Sequence, residues 1–385
     1  MTKPRVLHCI TVYNGRAIVP QALRSAMRMD RSVADFDVLI LDDASPEPGW
    51  SADLKALCEE LGALYYLTPR NLGIPRNVSL GLNAAVTHGY DYVTINNSDV
   101  LFPKNFISGM VTGCLQNPGV GSITASSNNV SIYSVPNEDP DRFIGNQETV
   151  DWISSVAQTH FPGTVIDIPA GISFAIIMPI DAIRTVGVMD PIFGRGYCEE
   201  TDWSLRSLQA GLRLTMAPGV FVYHQGRGSN LEAGLVSEGH TSVPENEAII
   251  DLRYPNFRRE VDAYFRSGRN SWEASKLIHE LHDYSARADG VHIEVGSIVP
   301  VGDGKGLQVR VSSRNNLTEV VLAHKGFIQT LHFDSEKSAV DFIEARFGQT
   351  KVYVVTHDHS PVAVRLRTAF PTNLTERAIG YPMSV

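Results

Sequence analysis

Cysteine is scarce in this 385-residue chain: Cys9, Cys58, Cys114 and Cys198, with no C-x-x-C among them. That spacing signals neither a zinc ribbon nor a disulfide framework, and it suits small buried thiols in a reducing cytosol. Positive charge is in deficit as well. Lys and Arg number 33 against 42 Asp and Glu, a formal net charge of -9. A general nucleic-acid binder needs a basic face for phosphates, so that class is set aside, although a local basic pocket for one nucleotide is not. No uninterrupted run of about 18 apolar residues occurs, so no transmembrane helix is expected. No apolar segment with a cleavage site follows the opening Met1-Thr-Lys-Pro-Arg, so no signal peptide is expected. A cytoplasmic location follows as the expectation, with docking on a membrane surface left open. Three motifs are missing too: G-x-G-x-x-G after the first strand, G-x-x-x-x-G-K-[ST], and G-x-S-x-G. Their absence counts against a nicotinamide dinucleotide site, a P-loop and a hydrolase nucleophile elbow. What remains is a chain 43% hydrophobic and 19% charged, enough to bury one large core or two ordinary ones and unlike a disordered polymer.

Hydrophobic patterning predicts alternating strands and helices in the first part. Strands are expected at Arg5–Val12, Phe36–Leu41, Ala63–Leu67 and Tyr92–Ile95, and helices at Ile18–Met29, Ala52–Leu61 and Val78–Thr87. This order predicts a doubly wound, mostly parallel sheet flanked by helices, with ligands at the carboxyl ends of its strands. From Ser122 to His160 the pattern weakens into a Ser, Asn, Pro and Asp-rich stretch, read as long loops. Regularity resumes at Val165–Met178 and runs to about Tyr223. The Gly, Ser and Glu-rich segment from Gly226 to Glu245 reads as a loop over a ligand site or a plain linker. A different pattern starts near Asn246: helices over Ala248–Phe265, broken at Pro255, and Trp272–Arg287, then runs at Val291–Val295, Leu307–Val311, Val320–Ala323 and Phe327–Phe333. A helix at Ser335–Arg346 and a strand at Lys351–Thr356 complete a small α+β module with a largely antiparallel sheet. Two domains are therefore expected, 1–245 and 246–385.

Three predicted strand ends carry polar clusters: Thr11-Val12-Tyr13-Asn14, Asp42-Asp43-Ala44-Ser45 and Asn97-Ser98-Asp99. A parallel sheet brings them to one edge. A nucleotide needs such a mixture: an aromatic for the base, carboxylates for base N–H groups and ribose hydroxyls, and a carboxylate for a phosphate-bound metal.

The ordered blocks I-T-V-Y-N (Ile10–Asn14), L-D-D-A-S (Leu41–Ser45), N-L-G-I-P-R-N (Asn71–Asn77) and N-S-D-V (Asn97–Val100) continue later in the chain. There follow G-R-G-Y-C-E-E-T-D-W-S-L-R (Gly194–Arg206), A-G-L-R, and V-Y-H-Q-G-R-G-S (Val222–Ser229). Over residues 5 to 230 the chain resembles a family 2 glycosyltransferase with the GT-A fold; the C-terminal module lies outside the likeness. The resemblance implies an enzyme that moves a sugar from a nucleoside-diphosphate donor to a glycan or other hydroxyl acceptor. Inversion by single displacement is the family's expectation, and cell-surface polysaccharide synthesis its commonest setting.

Carried over residue by residue, the resemblance places Thr11, Tyr13, Asn14 and Asp42 or Asp43 around the base and ribose. Arg76 faces the diphosphate, with Asn71 and Gly73 shaping its loop. Asn97-Ser98-Asp99 stands where the family has D-x-D, with Asn in place of the first carboxylate. Asp99 and His224 are the implied ligands of a divalent metal, Mn2+ or Mg2+, and Asn97 offers an amide to ribose or sugar. Glu199, Glu200 and Asp202 form the implied acidic catalytic block, with Glu200 as general base where Asp is commoner. Trp203 suits an acceptor pocket or the core equally, and Pro169-Ala170-Gly171 corresponds to a turn near the sugar.

The loss of one D-x-D carboxylate motivates an alternative, a catalytically silent nucleotide-sugar-binding or scaffold protein. A nucleotidyltransferase is disfavoured, because no Gly-rich basic signature follows the first strand. The C-terminal module could bind acceptor, join subunits in a homo-oligomer, or pack on the catalytic domain. His357-Asp358-His359 reads as a polar turn rather than a metal site.

Overall fold

Arg5–Val12 (β1) is an apolar run whose side chains are almost all buried, on both faces of the sheet. That is the signature of a central parallel strand covered on either side. The computed structural model describes residues 2–130, 134–135, 145–226, 243–296, 306–314, 317–356 and 360–370. After β1 come α1 (Val19–Met27), β2 (Asp35–Asp42), α2 (Trp50–Leu61), β3 (Leu64–Leu67), α3 (Ile74–Thr87) and β4 (Tyr92–Asn96). Next are β5 (Val100–Leu101), α4 (Phe106–Gln116), β6 (Val120–Ser127), α5 (Gln147–His160), β7 (Ile166–Asp167), β8 (Ala175–Pro179) and α6 (Ile180–Val186). The series closes with α7 (Glu199–Gln209), β9 (Arg213–His224), α8 (Pro244–Arg253), α9 (Phe257–Arg266) and α10 (Arg269–Asp289).

The sheet order is β3-β2-β1-β4-β8-β6-β9-β5, with β7 also paired to β9. β3, β2, β1 and β4 are mutually parallel, as are β6 and β9. β8 runs antiparallel to both β4 and β6. The chain winds from β1 outward to β3, then returns to place β4 on the other side of β1. The crevice at this switch point opens at the carboxyl ends of β1 and β4.

Two expectations need correction here. The stretch from Ser122 to His160 is not only loop: β6 is buried along its whole length, and α5 is capped by the Asn146 side chain accepting from the Thr149 amide at 2.9 Å. β6 hid because it is rich in Ser and Thr. Two of their hydroxyls are taken up by neighbouring backbone: Ser126 Oγ donates to Val220 O at 2.9 Å and Thr124 Oγ1 accepts from Ile172 N at 3.2 Å. Second, α3 starts at Ile74 rather than Val78, with Pro75 in its first turn, so Arg76 and Asn77 are helical.

Contacts divide the chain between Ala274 and Ser275 rather than at residue 245. α8 belongs to the first unit, where Ile250 packs with Phe193 and Leu205. The second unit contains β10 (Val291–Val295), β11 (Leu307–Arg314), β12 (Leu317–His324), β13 (Phe327–Phe333), α11 (Glu336–Phe347), β14 (Val352–Thr356) and α12 (Pro361–Ala369). Its order is β13-β12-β11-β10-β14. β11, β12 and β13 are antiparallel, but β10 pairs in parallel with both β11 and β14, so the sheet is mixed rather than largely antiparallel. The His357–His359 triplet and residues 227–242 of the loop from Gly226 to Glu245 lie outside the described residues.

A chain ended after Ala274 is expected to remain soluble and to melt cooperatively. One ended after Glu245 strips Ile250 from its cluster and is expected to aggregate. Soluble yield and circular-dichroism melting check this; equal behaviour of the two truncations would contradict the boundary.

Candidate active site

Thr11 and Asn96 meet across the switch-point crevice, the Thr11 hydroxyl donating to Asn96 O at 3.2 Å. Tyr13 follows on the same strand end and is half-buried. Asn14 adopts φ 60, and its amide donates to Ser45 Oγ at 2.8 Å, joining the first two polar clusters. Asp42 is fully buried and accepts from Ser45 N at 3.0 Å, Ser45 Oγ at 2.7 Å and Tyr65 OH at 2.8 Å. Asp43 accepts from Thr68 Oγ1 at 3.0 Å, Leu72 N at 2.8 Å and Gly73 N at 2.9 Å. Both carboxylates are therefore engaged with protein donors. Asp43 in particular fixes the loop before α3, helped by Asn71, whose side-chain oxygen accepts from Gly73 N at 3.0 Å.

That loop presses on the turn before α7. Gly73 has φ 81; a Cβ there would stand against the Gly194 carbonyl and 2.8 Å from Arg195 Cα. Ile74 N donates to Arg195 O at 3.0 Å. Arg76 is exposed, with Nη1 3.4 Å from Gly194 O.

The third cluster is assembled by sheet register. β5 pairs antiparallel with the end of β9, Val100 opposite His224, which sets Asp99 beside the His224 ring. His224 Nδ1 is 2.7 Å from Asn129 O, an oxygen that can only accept, so Nδ1 carries a proton. Nε2 then faces Asn97 Nδ2 at 3.3 Å and Asp99 Oδ1 at 3.3 Å. Asp99 Oδ2 accepts from Gly226 N at 3.1 Å, whereas buried Oδ1 has no hydrogen-bond donor. A lone pair on neutral Nε2 and an anionic oxygen at this spacing repel unless a cation lies between them. A proton answers that need: burial is the largest single influence on Asp99 and pushes its pKa up, but the His224 ring and backbone N–H donors, Gly226 among them, together outweigh it and the net shift is down. The same pairing raises His224 against its own burial. A divalent ion answers it equally, since one oxygen and one imidazole nitrogen are suitable donors and the second ring nitrogen is already fixed by a carbonyl. Among the described residues no group of three His, Cys, Asp or Glu converges, so such an ion would take its other ligands from substrate and water.

Glu199 and Glu200 open α7. A helix N-terminus favours carboxylates, but burial wins: it is the leading cause raising both pKa values, Glu199 further than Glu200. Each has one buried carboxyl oxygen with no hydrogen-bond partner. As a pair they hold a proton to higher pH than an ordinary carboxyl does. The preceding turn is strained. Tyr197 and Cys198 take φ 72 and 73, between them and Gly194 and Gly196 at φ 62 and 140. Left-handed geometry at two non-glycine residues costs about 1–3 kcal/mol each.

Asp202 departs from the role expected of it. It is fully buried and accepts from Arg206 Nε at 2.9 Å, Arg253 Nη1 at 2.7 Å and Tyr254 OH at 2.9 Å, which makes it an anchor between α7 and α8. Trp203 is fully buried, with its indole N–H on Gly187 O at 2.8 Å, so it belongs to the core. Gly171 N donates to Ser204 Oγ at 3.0 Å, bringing the small-residue turn against α7. Sequence reading missed Asn128, Asn129, Tyr65 and Asn246; only the Asn128-Asn129 pair after β6 carried a signal, as a polar doublet ending a strand.

Opposite stability effects are expected for the acidic residues. Protonated glutamates are favoured in the folded chain, which binds more protons than the unfolded chain once pH passes the ordinary Glu value of 4.5. Stability therefore falls as pH rises through the raised values of the pair. Glu200→Gln removes part of that fall and is expected to be more stable than wild type above it. Asp202→Asn leaves Arg206 and Arg253 short of a partner and is expected to lose about 2–4 kcal/mol. Urea unfolding across pH checks both signs.

Residues 8–163 match the family described as Glycosyl transferase family 2. An undecaprenyl-phosphate mannosyltransferase of Micrococcus luteus is 23% identical over 241 residues, 62% of this chain and 92% of that protein. Among solved structures, a mannosyltransferase from Pyrobaculum calidifontis in complex with GDP-Man and Mn2+ is 15% identical with a TM-score of 0.44, over 72% of this chain and 75% of that one. A GalNAc transferase solved with UDP, GalNAc and Mn2+ is 14% identical with a TM-score of 0.46, over 69% and 58%. Residues 8–163 lie in a family 2 glycosyltransferase domain, and the chain is a glycosyltransferase.

Proposed function

We propose that this enzyme moves a sugar from a nucleoside-diphosphate donor to a hydroxyl acceptor by inverting displacement, with Glu200 as general base. The observation that carries this reading is the Glu199–Glu200 pair at the head of α7, Glu199 buried and Glu200 half-buried with one carboxyl oxygen enclosed. A hydroxyl is a poor nucleophile until its proton is taken, and a carboxyl whose pKa is lifted towards neutrality is suited to take it. The alternative of a phosphate acceptor, which the Micrococcus luteus relative's name would suggest, is less favoured. A phosphate is already ionised, needs no base, and would be repelled by an acidic pair.

On this reading Thr11, Tyr13, Asn14, Asp42 and Asp43 line the nucleoside end. The Asp42 and Asp43 carboxylates act mainly by holding Ser45 and the Asn71–Gly73 loop in place. Asp99 Oδ1 and His224 Nε2 would hold a divalent ion, Mn2+ or Mg2+, which when bound neutralises charge on the departing diphosphate. Asn97 puts a neutral amide 3.3 Å from His224 Nε2 where D-x-D has a carboxylate; the ring nitrogen has one lone pair, so an ion bound there would take the place of that amide contact. Arg76, at the head of α3, adds positive charge near the phosphates. No helix among the described residues is long and apolar enough to cross a membrane.

Glu200→Gln is expected to lower kcat by about 10²–10⁴-fold while nucleoside-diphosphate affinity stays near wild type. Asp99→Asn is expected to abolish the stimulation by Mn2+ of both binding and transfer. Steady-state kinetics with a panel of sugar nucleotides, and NMR of the product anomer, check these. Normal turnover in Glu200→Gln, or a product with the donor's anomeric configuration, would contradict the assigned mechanism.

A further inference from the structure

Asn246 lies on α8, beyond the segment matched by the family, and the proposed reaction gives it no task. Its side chain is buried, 8% exposed, and its amide nitrogen faces three backbone carbonyls: Phe193 O at 3.1 Å, Gly196 O at 2.8 Å and Tyr197 O at 2.9 Å. An amide has two hydrogens, so three acceptors share them. Those acceptors belong to the left-handed turn that ends in Glu199 and Glu200. A turn in that conformation does not persist on its own propensity; something around it must over-determine it. Ile74 N on Arg195 O holds it from the donor side, and Asn246 holds it from the other.

The rest of α8 is built to keep Asn246 where it is. Ile250, one helical turn on, packs with Phe193 and Leu205. Arg253, a further turn on, pairs with Asp190 at 2.9 Å and Asp202 at 2.7 Å, and Tyr254 adds its hydroxyl to Asp202. One face of α8 therefore grips residues 190 to 205 at successive turns, and Asn246 is the residue on it whose side chain hydrogen-bonds the backbone of the strained turn.

The geometry points to Asn246 as a positioning residue: its amide fixes the turn of residues 193–198 and so the direction of the Glu200 carboxylate. It touches neither substrate nor the reacting atoms. The inference rests on Glu200 being the base, because only then does the direction of that carboxylate bear on rate.

The test uses the full chain with Asn246→Ala and Asn246→Asp, the latter keeping volume while removing the amide hydrogens. Amide hydrogen exchange, calorimetry with UDP and GDP, and kcat are read on each. Exchange is expected to quicken at residues 194–200 while the sheet stays protected, kcat to fall about 100-fold, and affinity for the nucleoside diphosphate that wild type binds to change less than about threefold. Unchanged exchange at 194–200, or quickened exchange with kcat within twofold of wild type, would overturn the inference. So would a loss of affinity and thermal stability matching the loss of kcat, which a merely structural residue would give. If wild type transfers no sugar, the proposed reaction fails by itself, and the exchange data still decide whether the amide holds the turn.

Discussion

The loop before α3 and the turn before α7 touch at Gly73, and the site depends on that contact. The absence of a Cβ lets the Gly194 carbonyl and Arg195 backbone close onto the loop. The loop is fixed by Asp43, which sits at the end of β2 in the parallel half of the sheet. The turn carries Glu199 and Glu200 into α7. One close backbone approach therefore links the end proposed to hold the nucleotide to the end proposed to handle the acceptor's proton. Neither loop has regular structure to define it. Each is held by side chains reaching in from rigid elements, Asp43 on one side and Asn246 on the other.

Buried charge is used in two contrasting ways within one helix. Asp202 is saturated by Arg206, Arg253 and Tyr254 and serves stability. Glu199 and Glu200 lie one turn away with carboxyl oxygens lacking donors. Leaving a buried carboxyl short of partners costs stability and lifts its pKa, the condition a general base requires. Asp99 Oδ1 is a third such oxygen, and it faces an imidazole whose tautomer is already set. Unsatisfied acidic oxygens thus occur where chemistry is proposed, and satisfied ones where the fold needs support.

Much of this was legible before any coordinates. The βαβ alternation and the strand-end clusters are local patterns, and parallel pairing carries Thr11, Asp42 and Asn97 to one edge with no further information. The antiparallel pairing of β5 with β9 was not legible, because a two-residue strand leaves no periodicity, yet it alone brings Asp99 to His224. β6 was obscured by Ser and Thr, of which Thr124 and Ser126 find hydrogen-bond partners only in tertiary context. Asp202 reads in sequence as one more acid of the block; of its three partners, Arg206 is on its own helix but Arg253 and Tyr254 come from the end of α8, about fifty residues later. Asn246 was invisible for the same reason, since an Asn among glutamates in an exposed-looking helix signals nothing until its acceptors are placed around it.

The most direct measurement of the central claim is calorimetric binding of UDP, dTDP and GDP to the wild-type chain, each with and without Mn2+. The account predicts that one of the three binds and that Mn2+ tightens it, because Asp99 Oδ1 and His224 Nε2 leave a place for a cation shared with the diphosphate. Binding indifferent to metal, or no binding of any of the three, would contradict it.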